Sequence, residues 1–264
     1  MKIFPLLSLI LSLLLISCES RPEKKIEENL AREYYSDGII KSETQVKDTI
    51  AHGLMKNYDR DGTLISVYSF NMGRLEGPAV SYYPNGKIKL KMFYTLGKRS
   101  GTTRWYYDTG ELYRDIPFVD GKISGTKISY YKNGKIMAEA PFLNDCPGLG
   151  LKEFNSKGEL DKVDTEIKIK VENRLFADNT YTLIISLSNP KPGVNYYFEE
   201  LIDGKFLSPN QWQLPEIDGV ARYVIHLEKG RFRMETLTIS ASYKTSRSNY
   251  RVISRKYNLA IDNK

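Results

Sequence analysis

One step of 24 residues governs the first half of this chain. Gly38, Gly62, Gly86, Gly110, Gly134 and Gly158 keep it. So do Tyr34, Tyr58, Tyr82, Tyr106, Tyr130 and Phe154, and so do Ile40, Leu64, Ile88, Leu112, Ile136 and Leu160. A second glycine column runs through Gly53, Gly77, Gly101 and Gly125, and a third through Gly73, Gly97 and Gly121. Phe70, Tyr94, Phe118 and Phe142 form another aromatic column. Such a period specifies copies of one supersecondary unit, each dependent on its neighbours.

The unit reads as a β-hairpin. Asp37-Gly38, Asp61-Gly62, Asn85-Gly86 and Asn133-Gly134 are two-residue turn signals of the type I′ kind, which needs positive φ at both positions. Over residues 87–94, Ile88, Leu90, Met92 and Tyr94 point one way and Lys87, Lys89 and Lys91 the other. The later glycines are expected to form the return turn. A lone hairpin is marginal in water, so the copies should build an elongated β-solenoid or ribbon with an aromatic spine as its core. Tyr83, Tyr107 and Tyr131 follow the spine tyrosines and alternate to the opposite face. They are the aromatics best placed for binding. The ends are degenerate: Thr49 replaces a third-column glycine and Leu149 a second-column one, as capping copies do.

The pattern G-x₄-Y-Y-x-N-G-x-[IL] resembles the MORN repeat, in the bacterial variant often labelled a YwqK-type antitoxin repeat, over about residues 34–163. The resemblance implies an interaction or assembly module, with lipid binding ascribed to some arrays. The antitoxin label fits an exported protein only if the toxin acts in the cell envelope.

Export is the reading of the N-terminus. Residues 3–17, IFPLLSLILSLLLIS, are apolar and follow Met1 and Lys2. The run falls short of the ~20 residues of a membrane span and has the form of a signal peptide. Leu15-Ile16-Ser17-Cys18 resembles the lipobox of bacterial lipoproteins, which makes Cys18 the lipidated first residue of the mature chain. The plainer alternative is an ordinary cleaved signal. Residues 1–17 are then the signal peptide. Residues 18–33, charged in both signs, are a tether with a helical turn near residues 26–30. The implied address is the cell envelope, the outer membrane of a Gram-negative bacterium, reached through the lipid anchor. Cys146 remains as the one free thiol and reads as inert.

After Leu160 the period stops. Residues 164–264 alternate short apolar segments, 165–171, 181–187, 194–201, 221–227, 236–243 and 250–259, with turn-rich pieces such as 189–193. The expectation is an immunoglobulin-like β-sandwich, so the fold class is all-β: a MORN-like hairpin array followed by a sandwich. Trp212 is expected in its core. Arg231, Arg233, Lys244, Arg247, Arg251, Arg255 and Lys256 stand against Glu235 alone and carry much of the formal charge of +7. Arg247, Arg251 and Arg255 are candidates for an acidic glycan or lipid headgroup, or else part of a solvated face. Export disfavours nucleic acid.

Signals for catalysis fail on inspection. The loop opened by Asp59-Arg60-Asp61-Gly62 would need a glutamate where Phe70 stands to hold calcium. Ser129 and Lys132 of an S-x-x-K string lie in a hairpin with no helix to bring them together. Glu199 and Glu200 are adjacent and face opposite sides of a strand. Two histidines and two cysteines leave little for metal or triad chemistry. No cofactor and no metal are expected. The reading is a non-catalytic envelope lipoprotein whose repeats bind or assemble with an envelope protein. The alternatives are an immunity protein against an envelope-directed toxin, and a glycan- or lipid-binding module.

Overall fold

The computed structural model describes residues 29–264. The signal peptide, Cys18 and most of the tether fall outside the described residues. Of the tether, Leu30–Tyr34 is already a strand, paired with Ile40–Lys47. The array therefore begins before residue 34, and Leu30 takes no part in a helical turn.

The repeats form one antiparallel sheet of 14 strands, joined edge to edge in chain order from Leu30–Tyr34 onward. Its geometry explains the columns in pairs. Each spine residue lies directly across from the aliphatic column: Tyr58↔Leu64, Tyr82↔Ile88, Tyr106↔Leu112 and Tyr130↔Ile136. The spine is half-buried rather than a sealed core, and Tyr34 at the open end is 55% exposed. The second glycines lie opposite the other aromatic column: Gly53↔Phe70, Gly77↔Tyr94, Gly101↔Phe118 and Gly125↔Phe142. They are strand positions facing rings, not return-turn positions.

The two kinds of turn are exchanged relative to expectation. At Asn85-Gly86, Tyr83 and Lys87 bracket three residues, and the Gly86 N–H donates to the Tyr83 carbonyl at 2.9 Å. Pro84 and Asn85 occupy the centre of a type I turn, and Gly86 follows with φ 77°. Gly110 and Gly134 do the same, at φ 104° and 79°. Asn85, as the second centre of that turn, keeps negative φ, and its Oδ1 accepts the Lys87 N–H at 3.0 Å. The two-residue turns with positive φ at both centres lie at the return: Met72-Gly73, Leu96-Gly97, Asp120-Gly121, and Asp48-Thr49 at the degenerate end.

The C-terminal part is a sandwich of two four-stranded sheets. One runs Ile167–Arg174, Thr180–Leu187, Val220–His226, Glu216–Ile217; the other runs Gln213–Leu214, Asn195–Phe198, Arg231–Lys244, Tyr250–Asn263. Numbered in chain order within this part, the strands run 1-2-6-5 against 4-3-7-8. That is the ABED against C′CFG order of immunoglobulin sandwiches. Both sheets feed one core, in which Leu183, Ile185, Tyr196 and Ile239 are fully buried. Trp212 is not in it. It stands in the loop before Gln213–Leu214, 52% exposed, with Phe198 and Tyr223 each 6.3 Å away between ring centroids. It leans against these two rings at the flank of the sandwich.

Candidate functional site

Three tyrosines were the candidate binding aromatics, and the fold gives each a structural bond. The hydroxyl of Tyr83 donates to the carbonyl of Tyr106 at 2.7 Å, that of Tyr107 to Tyr130 at 2.8 Å, and that of Tyr131 to Phe154 at 2.7 Å. Tyr35 does the same to Tyr58 at 2.9 Å. Each ring is half-buried and each hydroxyl ties one hairpin to the next, 23 residues on. These residues are struts along the array rather than free faces. Burial pushes the Tyr107 phenol above its usual range. A further 24-step column carries the signal: Tyr35, Asp59, Tyr83, Tyr107, Tyr131, Asn155. Where the column has Asp59, the carboxylate instead accepts the N–H groups of Asp61 and Thr63 at 3.0 and 2.8 Å and closes its own turn.

The three candidate arginines are also engaged, two of them at the junction between array and sandwich. Glu153, on the last short strand of the array and 5% exposed, accepts from Thr245 Oγ1 at 2.7 Å, Asn249 Nδ2 at 2.8 Å and Arg251 Nη2 at 3.2 Å. Arg251 also donates to the Leu151 carbonyl at 2.9 Å. Arg247 pairs with Asp161 and donates to the hydroxyl of Tyr131 at 3.3 Å, so the sandwich holds the last tyrosine strut. Arg255 donates to the Ile167 carbonyl at 2.8 Å, and Arg233 pairs with Glu235. Four arginines of the basic run are thus spent on internal contacts, and Arg231, Lys244 and Lys256 stay exposed. The run's even spacing in sequence carried no sign of partners about a hundred residues away.

Backbone and apolar contacts close the same junction. Leu149 N–H donates to the Lys205 carbonyl at 2.9 Å, and Leu207 N–H to that of Pro147 at 3.1 Å. Leu149 packs against Leu201, Leu207 and Val252. A carboxylate taken out of water is tolerable only with such a full set of donors. Array and sandwich are joined by a specific, desolvated seam rather than by a loose linker.

Two openings flank this seam. One, of about 300 Å³, is mainly apolar and is lined by Phe142, Cys146, Pro147, Tyr197 and Leu207. Burial raises the Cys146 thiol above its ordinary range, which makes it a poor nucleophile. The other, of about 670 Å³, is rich in charge and includes Arg247 and Arg251. Among the described residues no three His, Cys, Asp or Glu side chains group as a metal site, and no helix is long and apolar enough to cross a membrane.

The outer face of the array is open. Opposite the buried Met92 and Ala79, Phe93 is 46% and Leu54 41% exposed, among Lys56, Lys91 and Arg104. No curated protein matches the chain in sequence. The family model of the MORN repeat variant matches residues 27–48, 51–72, 75–95, 99–120 and 124–144. Matches two to five each span a strand, the three-residue turn and the next strand, and repeats of this kind are generally non-catalytic modules of protein or membrane interaction. Over residues 27–144 the chain is thus similar, five times in succession, to the MORN repeat variant.

Proposed function

We propose that the chain is a non-catalytic, lipid-anchored protein of the bacterial cell envelope that binds a protein partner on the outer face of its repeat array. One observation carries the reading. The face opposite the buried side is continuous over the matched repeats and displays Phe93 and Leu54 among charged side chains of both signs, on a sheet locked at its end to the sandwich. Large apolar side chains ringed by charge on a rigid sheet suit protein contact. Lipidation of Cys18 would hold this face near the membrane, at the end of a short charged tether.

The experiment is cross-linked capture from intact envelopes. The parent chain should retain one specific protein, and Phe93→Glu with Leu54→Glu should lose it while melting at the parent temperature. Capture unaffected by the double change rejects this face. Cys18→Ser tests the anchor separately: the precursor should stay unprocessed and take up no acyl label. Normal processing and labelling would remove the lipoprotein reading.

A further inference from the structure

The larger opening at the junction has a charge imbalance that the fold does not use. Its walls carry three carboxylates, and each already has partners. Glu153 is held by Thr245, Asn249 and Arg251, and Asp161 by Arg247. Asp164 accepts from Thr165 Oγ1 and Asn189 Nδ2, both at 3.1 Å. Asp164 accordingly lies below the usual carboxylate range, first through Thr165 and then through Asn189. Five cations line the same walls. Arg247 and Arg251 are spent on Asp161 and Glu153. Lys162, Lys191 and Lys244 form no ion pair among the described residues, and they line the opening from three separate segments, with Lys191 acting on Asp164 only at longer range.

We propose that this cleft binds a small molecule bearing an oxyanion, a phosphate or carboxylate on a body about the size of a sugar. Like charges brought together repel, and the fold tolerates that most readily where an anion completes the set. The opening gathers the fields of the three ammonium groups, and the buried Glu153–Arg251 pair lies along its lining. Lysine heads act as mobile point donors, which suits an oxyanion presented at varied angles. The hydroxyl of Ser246 on the rim can serve the rest of a polar ligand. A volume of about 670 Å³ is that of a small-molecule cleft, and junctions between domains are common places for one. A concave opening favours one discrete molecule over the plane of a bilayer.

The test is titration calorimetry on the chain from residue 29 onward with inorganic phosphate, a hexose phosphate, glucuronate and neutral glucose, beside flotation with anionic vesicles. That segment contains every strand described above. Saturable binding of the hexose phosphate or glucuronate is expected, weakening as sodium chloride is raised, with glucose inert. The two anions distinguish phosphate from carboxylate as the preferred group. Lys191→Gln with Lys244→Gln should weaken binding about tenfold or more, while the control pair Lys41→Gln with Lys170→Gln leaves it unchanged. The cleft variant should melt at the parent temperature, since neither lysine bridges anything. The proposal is overturned by absence of saturable binding at about 10 mM, by equal binding of glucose, or by equal affinity in the cleft and control variants. Binding to vesicles without binding to any free anion also overturns it.

Discussion

Sixteen buried hydrophobic residues drawn from both sheets make a single core in the sandwich. The array has more strands, yet its buried apolar side chains are few and strung out: Ala79, Met92, Phe118, Ala138, Ala140, Phe142 and Leu151. Its other fully enclosed positions are polar, such as Ser42, Ser66, Thr103 and Ser129. A single sheet has no second layer to cover it, so the array takes order from bonds that repeat. Each tyrosine strut reaches 23 residues along the chain. The bonds at the return turns reach 22: Gly73 N–H donates to Ala51 O, Gly97 to Leu75 O and Gly121 to Arg99 O, all within 2.8–2.9 Å. In the sandwich stability is shared through one core, and in the array it is passed from neighbour to neighbour. The array should therefore open from its free end at residue 30 and be held at the other by the sandwich.

The sharpest way to break that picture is at the seam. Arg251→Ala leaves Glu153 buried with its main countercharge gone. A loss of about 3–5 kcal/mol is expected at the junction. In calorimetry the array should then melt as a separate, earlier transition, with the sandwich close to its parent temperature. A variant that melts once, at the parent temperature, would mean that the seam carries no coupling.

Next in size is the turn strain. Gly110 sits at φ 104°, and a Cβ added there would meet only Lys87 Cδ at 3.7 Å. Gly110→Val therefore costs backbone strain without a clash, about 1–3 kcal/mol. In a neighbour-coupled array that cost should fall on the adjoining hairpins. Hydrogen exchange should quicken over residues 101–119 and stay unchanged in the sandwich. Uniform quickening across the whole chain would show that the two regions unfold as one.

Much of this was legible in the sequence because a period constrains every copy at once. The hairpins, the positive φ of Gly86, Gly110 and Gly134, and the two-sheet C-terminal part follow from spacing and alternation. What escaped was relational. The Asn-Gly pairs look alike in two-residue and three-residue loops, and only Pro84 at a type I centre favours the latter. The second glycines looked like turns because nothing local shows that a ring lies across from each. Tyr83, Tyr107 and Tyr131 alternate as exposed residues should, but a hydroxyl reaching a carbonyl on the next copy is invisible to alternation. Arg247 and Arg251 read as a basic patch because Asp161 and Glu153 are distant in the chain.

A smaller effect, with a distinct signature, comes from Lys127. It faces Ala140 across the strands, with its ammonium 5.1 Å from the Phe142 ring centre. Burial first, and Arg114 second, bring it down to about 8, with Glu153 opposing. The unfolded chain keeps this proton up to about 10.4. Between about pH 8 and 10 the unfolded state thus binds more protons, and stability should rise with pH by at most ~1.4 kcal/mol per unit. Lys127→Met should flatten that rise in denaturant titrations of the array and raise stability at neutral pH. An unchanged pH slope would assign the rise elsewhere. The sandwich offers no equivalent, because Tyr181 and Tyr196, pushed up to about 12 by burial, lower stability only above about pH 10.

The smallest change compares the regions with one chemistry. Tyr107→Phe removes a hydroxyl that bonds the Tyr130 carbonyl at 2.8 Å, and Tyr196→Phe one that bonds the Gly219 carbonyl at 2.9 Å. Each should cost about 0.5–1.5 kcal/mol. In the array the Tyr107 ring keeps its place against Tyr113, 4.9 Å between centroids, so only the strut is lost. Exchange should quicken at the hairpin around residues 125–136 and nowhere in the sandwich. Tyr196 is fully buried within the shared core, so its loss should instead lower protection across all eight sandwich strands together. If both variants lose protection only locally, the sandwich is no more cooperative than the array. If both lose it globally, the struts belong to the same cooperative unit as the core.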